Sequence, residues 1–245
     1  MINIITINWN NASGLRDTLS SLRTQSLNKN KWKYRVIDGL SSDGSIKVLK
    51  ENKDLIDTLI IEKDNGVYDA MNKGIACTKE GDFFLFLNSG DTFANTKVLE
   101  FLDEEVTRLG NGVDVFYGDK IDANGKLVKA YYPQSMKYGI INACHQCILY
   151  KMNNINYETN YRLFSDLDFT AQYYINGATF YYVNKAIAIY EGGGLSSIHS
   201  WKTKKEIYLI VLRRFGLCAF LRFLFVKAVR LVGIKHTSFL RRHIS

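Results

Sequence analysis

The chain has 245 residues, 47% of them apolar and 13% aromatic, and a formal net charge of +8. This is enough for one α/β domain with a full core plus an appendage, and four unevenly placed cysteines exclude a disulfide scaffold. The charge is lopsided: residues 201–245 hold 11 Lys/Arg and one acid, Glu206, and carry +10, while residues 1–200 hold 21 and 23 and carry −2. A basic nucleic-acid surface on the body of the protein is thereby excluded.

MINIITINWNN has no basic segment and no cleavable apolar stretch, so residues 2–8 are expected to form a first strand rather than a signal peptide. Leu15, Leu19 and Leu22 follow at helical spacing. Tyr34 to Asp38 reads as a second strand, closed by the loop Asp38-Gly39-Leu40-Ser41-Ser42-Asp43-Gly44, with Asp43 placed to cap the next helix. Leu59 to Glu62 reads as a third strand, and Tyr68, Met71 and Ile75 then supply the core face of a helix.

The stretch 64–91, DNGVYDAMNKGIACTKEGDFFLFLNSGD, holds the densest information. Phe83 to Leu87 is a short, unbroken apolar run bounded by turn residues, the pattern of a strand buried on both faces. Ligands of open α/β sheets sit just beyond the carboxyl ends of such strands. Asp91, in Asn88-Ser89-Gly90-Asp91, is therefore placed where a divalent cation and an anionic ligand can meet. Beyond it, residues 113–132 read as strands with a hairpin turn at Asn124-Gly125. A strand near 147–151, a helix from about 166 and strands near 179–190 complete the body.

No GxGxxG follows the first strand and no GxxxxGK[ST] occurs, so glycine loops do not cradle a phosphate. The C-x-x-C at 144–147 lacks the second ligand pair of a structural zinc site, and its thiols are read as free. From Trp201 on, Arg213, Arg214, Arg222, Lys227 and Arg230 interrupt the apolar residues too often for a membrane span. A broad Leu/Phe face beside a basic stripe predicts a helix lying in a membrane interface; the competing arrangement is a helix packed on the domain.

Seven segments in order carry a resemblance: TINWNNASGL (6–15), VIDGLSSDGS (36–45), EKDNGVYDAMNKGI (62–75), FLNSGD (86–91), HQ (145–146), FSDLDF (164–169) and GGGLSS (192–197). The chain resembles family 2 glycosyltransferases, and within them the bacterial subgroup working on exopolysaccharide and O-antigen repeat units, the colanic-acid type. The resemblance implies an α/β GT-A fold, a Rossmann-like mixed sheet with covering helices. Residues 1–200 would be the catalytic domain, with a nucleotide-sugar-binding half at 1–118 and an acceptor-binding half at 119–200. Residues 201–245 would be an amphipathic helical, membrane-associating tail.

The same resemblance implies site roles. Asp166 matches the family's catalytic aspartate, with Ser165 where a glutamate often stands; Asp168 is the competing carboxylate. Asn8 or Asn10, with Asp38 and Ser41, stand where the family holds uridine. Asp64, Lys73 and Asn88 are further donor-side candidates, and His145 and Gln146 are expected on the acceptor side. Asp91 would hold Mg²⁺ or Mn²⁺, although Asn88 and Gly90 replace the carboxylates often found beside it; His199 is a possible further ligand.

The implied activity is inverting transfer of a hexose or N-acetylhexosamine from a UDP-sugar to a polyprenyl-diphosphate-linked saccharide. Its expected place is the inner face of the bacterial cytoplasmic membrane. The alternatives are a non-catalytic nucleotide-sugar-binding partner of an assembly complex, or a nucleotidyltransferase; the latter usually carries a glycine-rich basic loop that TINWNNASGL lacks.

Overall fold

The computed structural model describes residues 1–192 and 201–231, with side chains of 205–229 in the latter segment. Its elements run β1 (Ile2–Asn8), α1 (Ala12–Arg23), β2 (Trp32–Asp38), α2 (Ser45–Glu51), β3 (Thr58–Ile61), α3 (Val67–Ala76), β4 (Phe83–Phe86) and β5 (Thr92–Phe93). They continue with α4 (Val98–Leu109), β6 (Val115–Ile121), β7 (Leu127–Val128), β8 (Ile148–Lys151), α5 (Ser165–Ile175), β9 (Phe180–Ile189) and α6 (Trp201–Leu231). Short 3-10 turns lie at Pro133–Tyr138 and His145–Cys147.

Among the described residues the strands form one nine-stranded mixed sheet in the order β3-β2-β1-β4-β8-β6-β9-β5, with β7 hairpinned onto β6. Strands β3, β2, β1 and β4 are mutually parallel; β8 turns the sheet antiparallel on β4. The chain moves from β1 outward to β2 and β3, then returns to place β4 on the other side of β1. The switch point, where such sheets open a crevice at their carboxyl ends, is therefore between β1 and β4.

The two faces of β4 explain its unbroken apolar sequence. Alternate side chains leave a strand on opposite faces. Phe83 and Leu85 join Ile4, Leu15 and Leu19 in one core, while Phe84 and Phe86 join Ile5, Met71, Tyr150 and Phe169 in the other. The second core anchors α5: Phe169 stacks on Tyr157 with ring centroids 4.1 Å apart and meets Tyr150 edge-on at 5.1 Å. The predicted hairpin is present, with Lys120 opposite Val128 and Ile121 opposite Leu127. Asp43 serves two helices: its carboxylate accepts from Ser45 N–H at 3.0 Å and from Ala12 N–H at 2.7 Å.

The helix α6 packs on the body of the protein along one face. It is two helical halves joined at Gly216, whose φ of 78° suits glycine. Ile210 and Val211 are fully buried, and Ile210 shares a small core with Met136, Leu167 and Ala171. The second half folds back so that Phe223 lies against Tyr208 at 5.2 Å, with Lys227 Nζ 4.4 Å from the Tyr208 ring centre. Arg213 and Arg214, which interrupt the apolar residues of the tail, are used in ion pairs with Glu158 and Asp168. The inward face of this segment finds apolar partners on α5 and near Met136. No described helix is long and apolar enough to cross a membrane.

Candidate active site

Four of the predicted donor residues form one network at the ends of β1 and β2. Asp38 is fully buried; its Oδ2 accepts from Asn8 Nδ2 at 2.7 Å and Ser41 Oγ at 2.8 Å, and its Oδ1 accepts from Ser41 N–H at 2.8 Å. Asn10 takes a left-handed backbone (φ 49°), accepts from Ser42 N–H at 2.8 Å and donates its own N–H to Ser41 Oγ at 2.8 Å. The network is internal. Asp38 and Ser41 thus shape the loop after β2 rather than presenting free groups, while Asn8 Oδ1 is left buried without a partner, an acceptor still to be satisfied.

Asp64 lies beside that loop: a Cβ on Gly39 would sit 2.8 Å from Asp64 Oδ2 and 3.2 Å from Trp9 Cδ1. Trp9 is 72% exposed there, an aromatic face at the crevice that the sequence reading did not single out. Lys73 departs from its expected part. Its Nζ is held by Asp64 at 2.8 Å, Glu62 at 2.9 Å and Asp69 at 3.3 Å, which raises its pKa through those hydrogen bonds. The structure presents it as the clamp of three carboxylates, not as a free cation for a diphosphate.

The Asn88–Asp91 turn is pinned from α1. Thr18 Oγ1 accepts from Gly90 N–H at 3.0 Å and donates to the Asp91 carbonyl at 2.8 Å, and Asn11 Nδ2 donates to the Ser89 carbonyl at 3.1 Å. Gly90 has φ 102°, and a Cβ on it would run into the Glu191 carboxylate, so both conformation and space require glycine. Asp91 is 5% exposed; Oδ2 accepts from Gln146 Nε2 at 2.6 Å and Oδ1 from Glu191 N–H at 3.2 Å. Burial pushes its pKa up to about 6 against those two bonds, with the Glu191 charge adding to the rise. Gln146, expected on the acceptor side, is instead the buried partner of Asp91.

His145 links this turn to α5. Asn88 Nδ2 lies 2.9 Å from His145 Nε2. An amide NH₂ only donates, so Nε2 accepts, and in a neutral ring the proton resides on Nδ1. Burial and the Lys120 charge lower the ring's pKa to about 4, so it is neutral near pH 7. Its Nδ1 faces Asp166 Oδ2 at 4.0 Å. Burial raises Asp166 to about 6, and among the described residues no lysine or arginine reaches it. Asp168 points elsewhere: fully buried, it receives Arg214 Nε and Nη2 at 2.7 Å each. The geometry thus separates the two carboxylates, leaving Asp166 for the crevice and Asp168 for the core.

Residues 3–172 match the family model described as Glycosyl transferase family 2. The chain belongs to that family. A mycobacterial relative from Mycobacterium tuberculosis, named as a PGL/p-HBAD biosynthesis glycosyltransferase, is 31% identical over 212 residues, covering 80% of this chain and 79% of its own. A second M. tuberculosis protein, an uncharacterized glycosyltransferase, is 37% identical over 98 residues; that match spans 40% of this chain and only 37% of the relative. Among solved structures, Staphylococcus aureus TarS 1–349 in complex with UDP-GlcNAc superposes with a TM-score of 0.69 at 17% identity, over 87% of this chain and 67% of that one. A mannosyltransferase from Pyrobaculum calidifontis in complex with GDP-Man and Mn²⁺ gives 0.65 at 14% identity, over 89% and 68%. These likenesses show the GT-A fold that the sequence implied. The relatives found are not named for O-antigen or exopolysaccharide work.

A divalent cation finds oxygen donors at this family site but few of them. Asp91 offers a desolvated carboxylate that the Lys120 charge only partly compensates, Glu191 stands beside it, and Asn88 Oδ1 is buried without a partner. Among the described residues no three His, Cys, Asp or Glu side chains converge on a metal position. The set fits a hard cation such as Mg²⁺ or Mn²⁺ that completes its shell with substrate phosphate and water. Glu191 went unnoticed in sequence because it sits a hundred residues from Asp91; its neighbour His199 lies outside the described residues.

Proposed function

We propose that this chain is an inverting glycosyltransferase that moves a hexose or N-acetylhexosamine from a UDP-sugar to a lipid-linked saccharide in surface polysaccharide assembly. The observation that carries this is Asp166: a carboxylate with no cation partner and a pKa near 6, facing a neutral histidine at the rim of the crevice. Ionised at neutral pH, it takes the proton of the acceptor hydroxyl as that oxygen bonds to the anomeric carbon. The bond from that carbon to the nucleotide diphosphate breaks in the same displacement, so configuration inverts. The neutral His145 Nδ1–H leaves the Asp166 charge uncompensated and its basicity high.

On the donor side, the exposed Trp9 ring and the buried Asn8 Oδ1 supply a stacking face and an acceptor for the nucleoside. Asp91, with Asn88 and Glu191, would hold the divalent cation, which when bound supplies positive charge to the leaving diphosphate.

The acceptor is proposed to be a polyprenyl-diphosphate-linked sugar met at the inner face of a bacterial cytoplasmic membrane. Two features support a lipid surface as the meeting place. The tail carries +10, and the outer side of α6 exposes Leu209, Leu217, Leu221 and Phe225, the last 70% open. Release of UDP from UDP-sugars in the presence of membrane acceptor, compared between wild type and Asp166→Asn, tests the proposal. A protein that binds UDP but never turns over would support a non-catalytic nucleotide-sugar-binding partner.

A further inference from the structure

The single acid of the tail is not on the tail's outer surface. Glu206 Oε1 accepts from Arg162 N–H at 2.8 Å, and Oε2 accepts from Leu163 N–H at 3.0 Å and Phe164 N–H at 3.2 Å. These are the last backbone donors before α5. That helix begins after Phe164, which has no side chain able to cap it. Uncapped helix starts leave orphan N–H groups, and a carboxylate there also complements the helix dipole. Glu206, from another element, ties down the boundary residue Phe164 and the two residues before it, while Tyr68 Oη takes the first helical N–H, that of Ser165.

Two residues past Asp166, Arg214 of the same tail helix grips Asp168 through two 2.7 Å bonds. Asp168 is fully buried and the Arg214 side chain is 14% exposed. Such a fork fixes direction as well as distance. Between these grips, Ser165 N–H donates to Tyr68 Oη at 3.2 Å and Ser165 Oγ to the Glu158 carbonyl at 2.8 Å. The Asp166 carboxylate itself accepts from backbone N–H groups of its own turn, that of Leu167 at 2.8 Å and its own. Its placement is therefore set by the backbone on either side, and α6 holds both sides.

We propose that Glu206 and Arg214 are positioning residues for Asp166, so that the tail helix is a working part of the catalytic site and not a detachable tether. This rests on Asp166 being the base. Bond-making groups displaced by about 1 Å can lose ~10²-fold in rate, while among the described residues the donor site, built on β1, β2 and the Asn88–Asp91 turn, hydrogen-bonds with neither residue.

The groups whose fields meet Asp166 are Tyr68, Tyr150, Tyr157, Cys144, His145 and Glu206. Burial keeps the tyrosines and the thiol protonated and the imidazole unprotonated at pH 7. Glu206 is thus the charged neighbour, and its negative charge raises Asp166. Arg214→Met leaves that charge in place, whereas any neutral substitution of Glu206 removes it.

The experiment uses the full chain, with UDP-sugar and membrane acceptor, and measures kcat, donor KM, UDP affinity and the acid limb of kcat against pH. Glu206→Ala is expected to lower kcat about 10- to 100-fold with donor KM and UDP affinity within about twofold. Glu206→Gln keeps an acceptor oxygen and loses the charge, so it should recover much of kcat while its acid limb moves to lower pH. Arg214→Met should behave like Glu206→Ala. Arg214→Met with Asp168→Leu replaces the ion pair by apolar contact and should keep the fold if the single variants do not, with kcat still reduced.

Folded variants with wild-type kcat, or an equal loss of kcat and UDP affinity, overturn the proposal. An unmoved acid limb in Glu206→Gln does so too. Asp166→Asn assayed alongside separates the two levels: if it turns over normally, the role of Asp166 is wrong; if it is inert while the Glu206 and Arg214 variants are not impaired, only the positioning role is.

Discussion

His145 Nδ1 stands 4.0 Å from Asp166 Oδ2 and brings it a dipole, not a charge. Asp166 is a half-buried carboxylate whose folded pKa, about 6, lies above its unfolded value of 3.8. A group raised in this way favours the folded state below the unfolded pKa, and that advantage is lost as pH rises through the folded value. Above pH 6 the charge is a cost. Asp166→Asn should thus be more stable than wild type at pH 7.5, by about 1–3 kcal/mol, with the difference shrinking toward pH 4. Urea unfolding of both proteins at the two pH values checks this; a variant less stable at pH 7.5 would show that the carboxylate is structurally compensated by something else.

Asp38→Ala should destabilise by about 2–4 kcal/mol, because it strands Asn8 Nδ2, Ser41 N–H and Ser41 Oγ in a buried site. UDP affinity should fall with it, since the loop carrying Gly39 beside Trp9 and Asp64 loses its support. Asp38→Asn retains one acceptor and should recover part of both. Denaturant midpoints and UDP titrations are the measurements, and wild-type UDP binding by a folded Asp38→Ala would remove this loop from the donor site.

Asp91→Ala should abolish metal-dependent donor binding, and EDTA should do the same to the wild type. Folding should survive, because the substitution also removes a desolvated charge. Full turnover in EDTA would assign the diphosphate to backbone groups and exclude Asp91 as a metal ligand.

The intact chain should sediment with anionic vesicles at low salt and be released at high salt, because each basic residue near such a surface contributes about 1 kcal/mol and salt screens it. Deleting residues from 201 onward is expected to cause aggregation, since it uncovers Met136, Leu167 and Ala171, which pack on Ile210. An absence of vesicle binding at low salt would mean that α6 serves packing alone.

The parts of the fold legible in sequence were those where local pattern and tertiary environment agree. Phe83–Leu87 is continuously apolar because both faces of β4 meet cores, and Tyr68, Met71 and Ile75 face inward at the spacing they advertise. The turn at Asn88–Asp91 was legible as the end of a buried strand, the place where ligand crevices form in such sheets. What escaped were pairings across long chain distances. Nothing local says that Gln146 belongs to Asp91 or that Glu191 stands against Gly90. The tail's contacts escaped for a related reason: its composition reports charge and apolarity, and Glu206 and Arg214 acquire meaning only where Phe164 and Asp168 are beside them.

The most direct test is UDP release from UDP-sugar with membrane acceptor, measured for wild type and Asp166→Asn together with UDP affinity for both. The expected result is acceptor-dependent release by the wild type, a loss of about 10²–10⁴-fold in Asp166→Asn, and UDP affinity changed by less than about threefold. Undiminished turnover by Asp166→Asn, or rate and UDP affinity falling together, would contradict a catalytic base at Asp166.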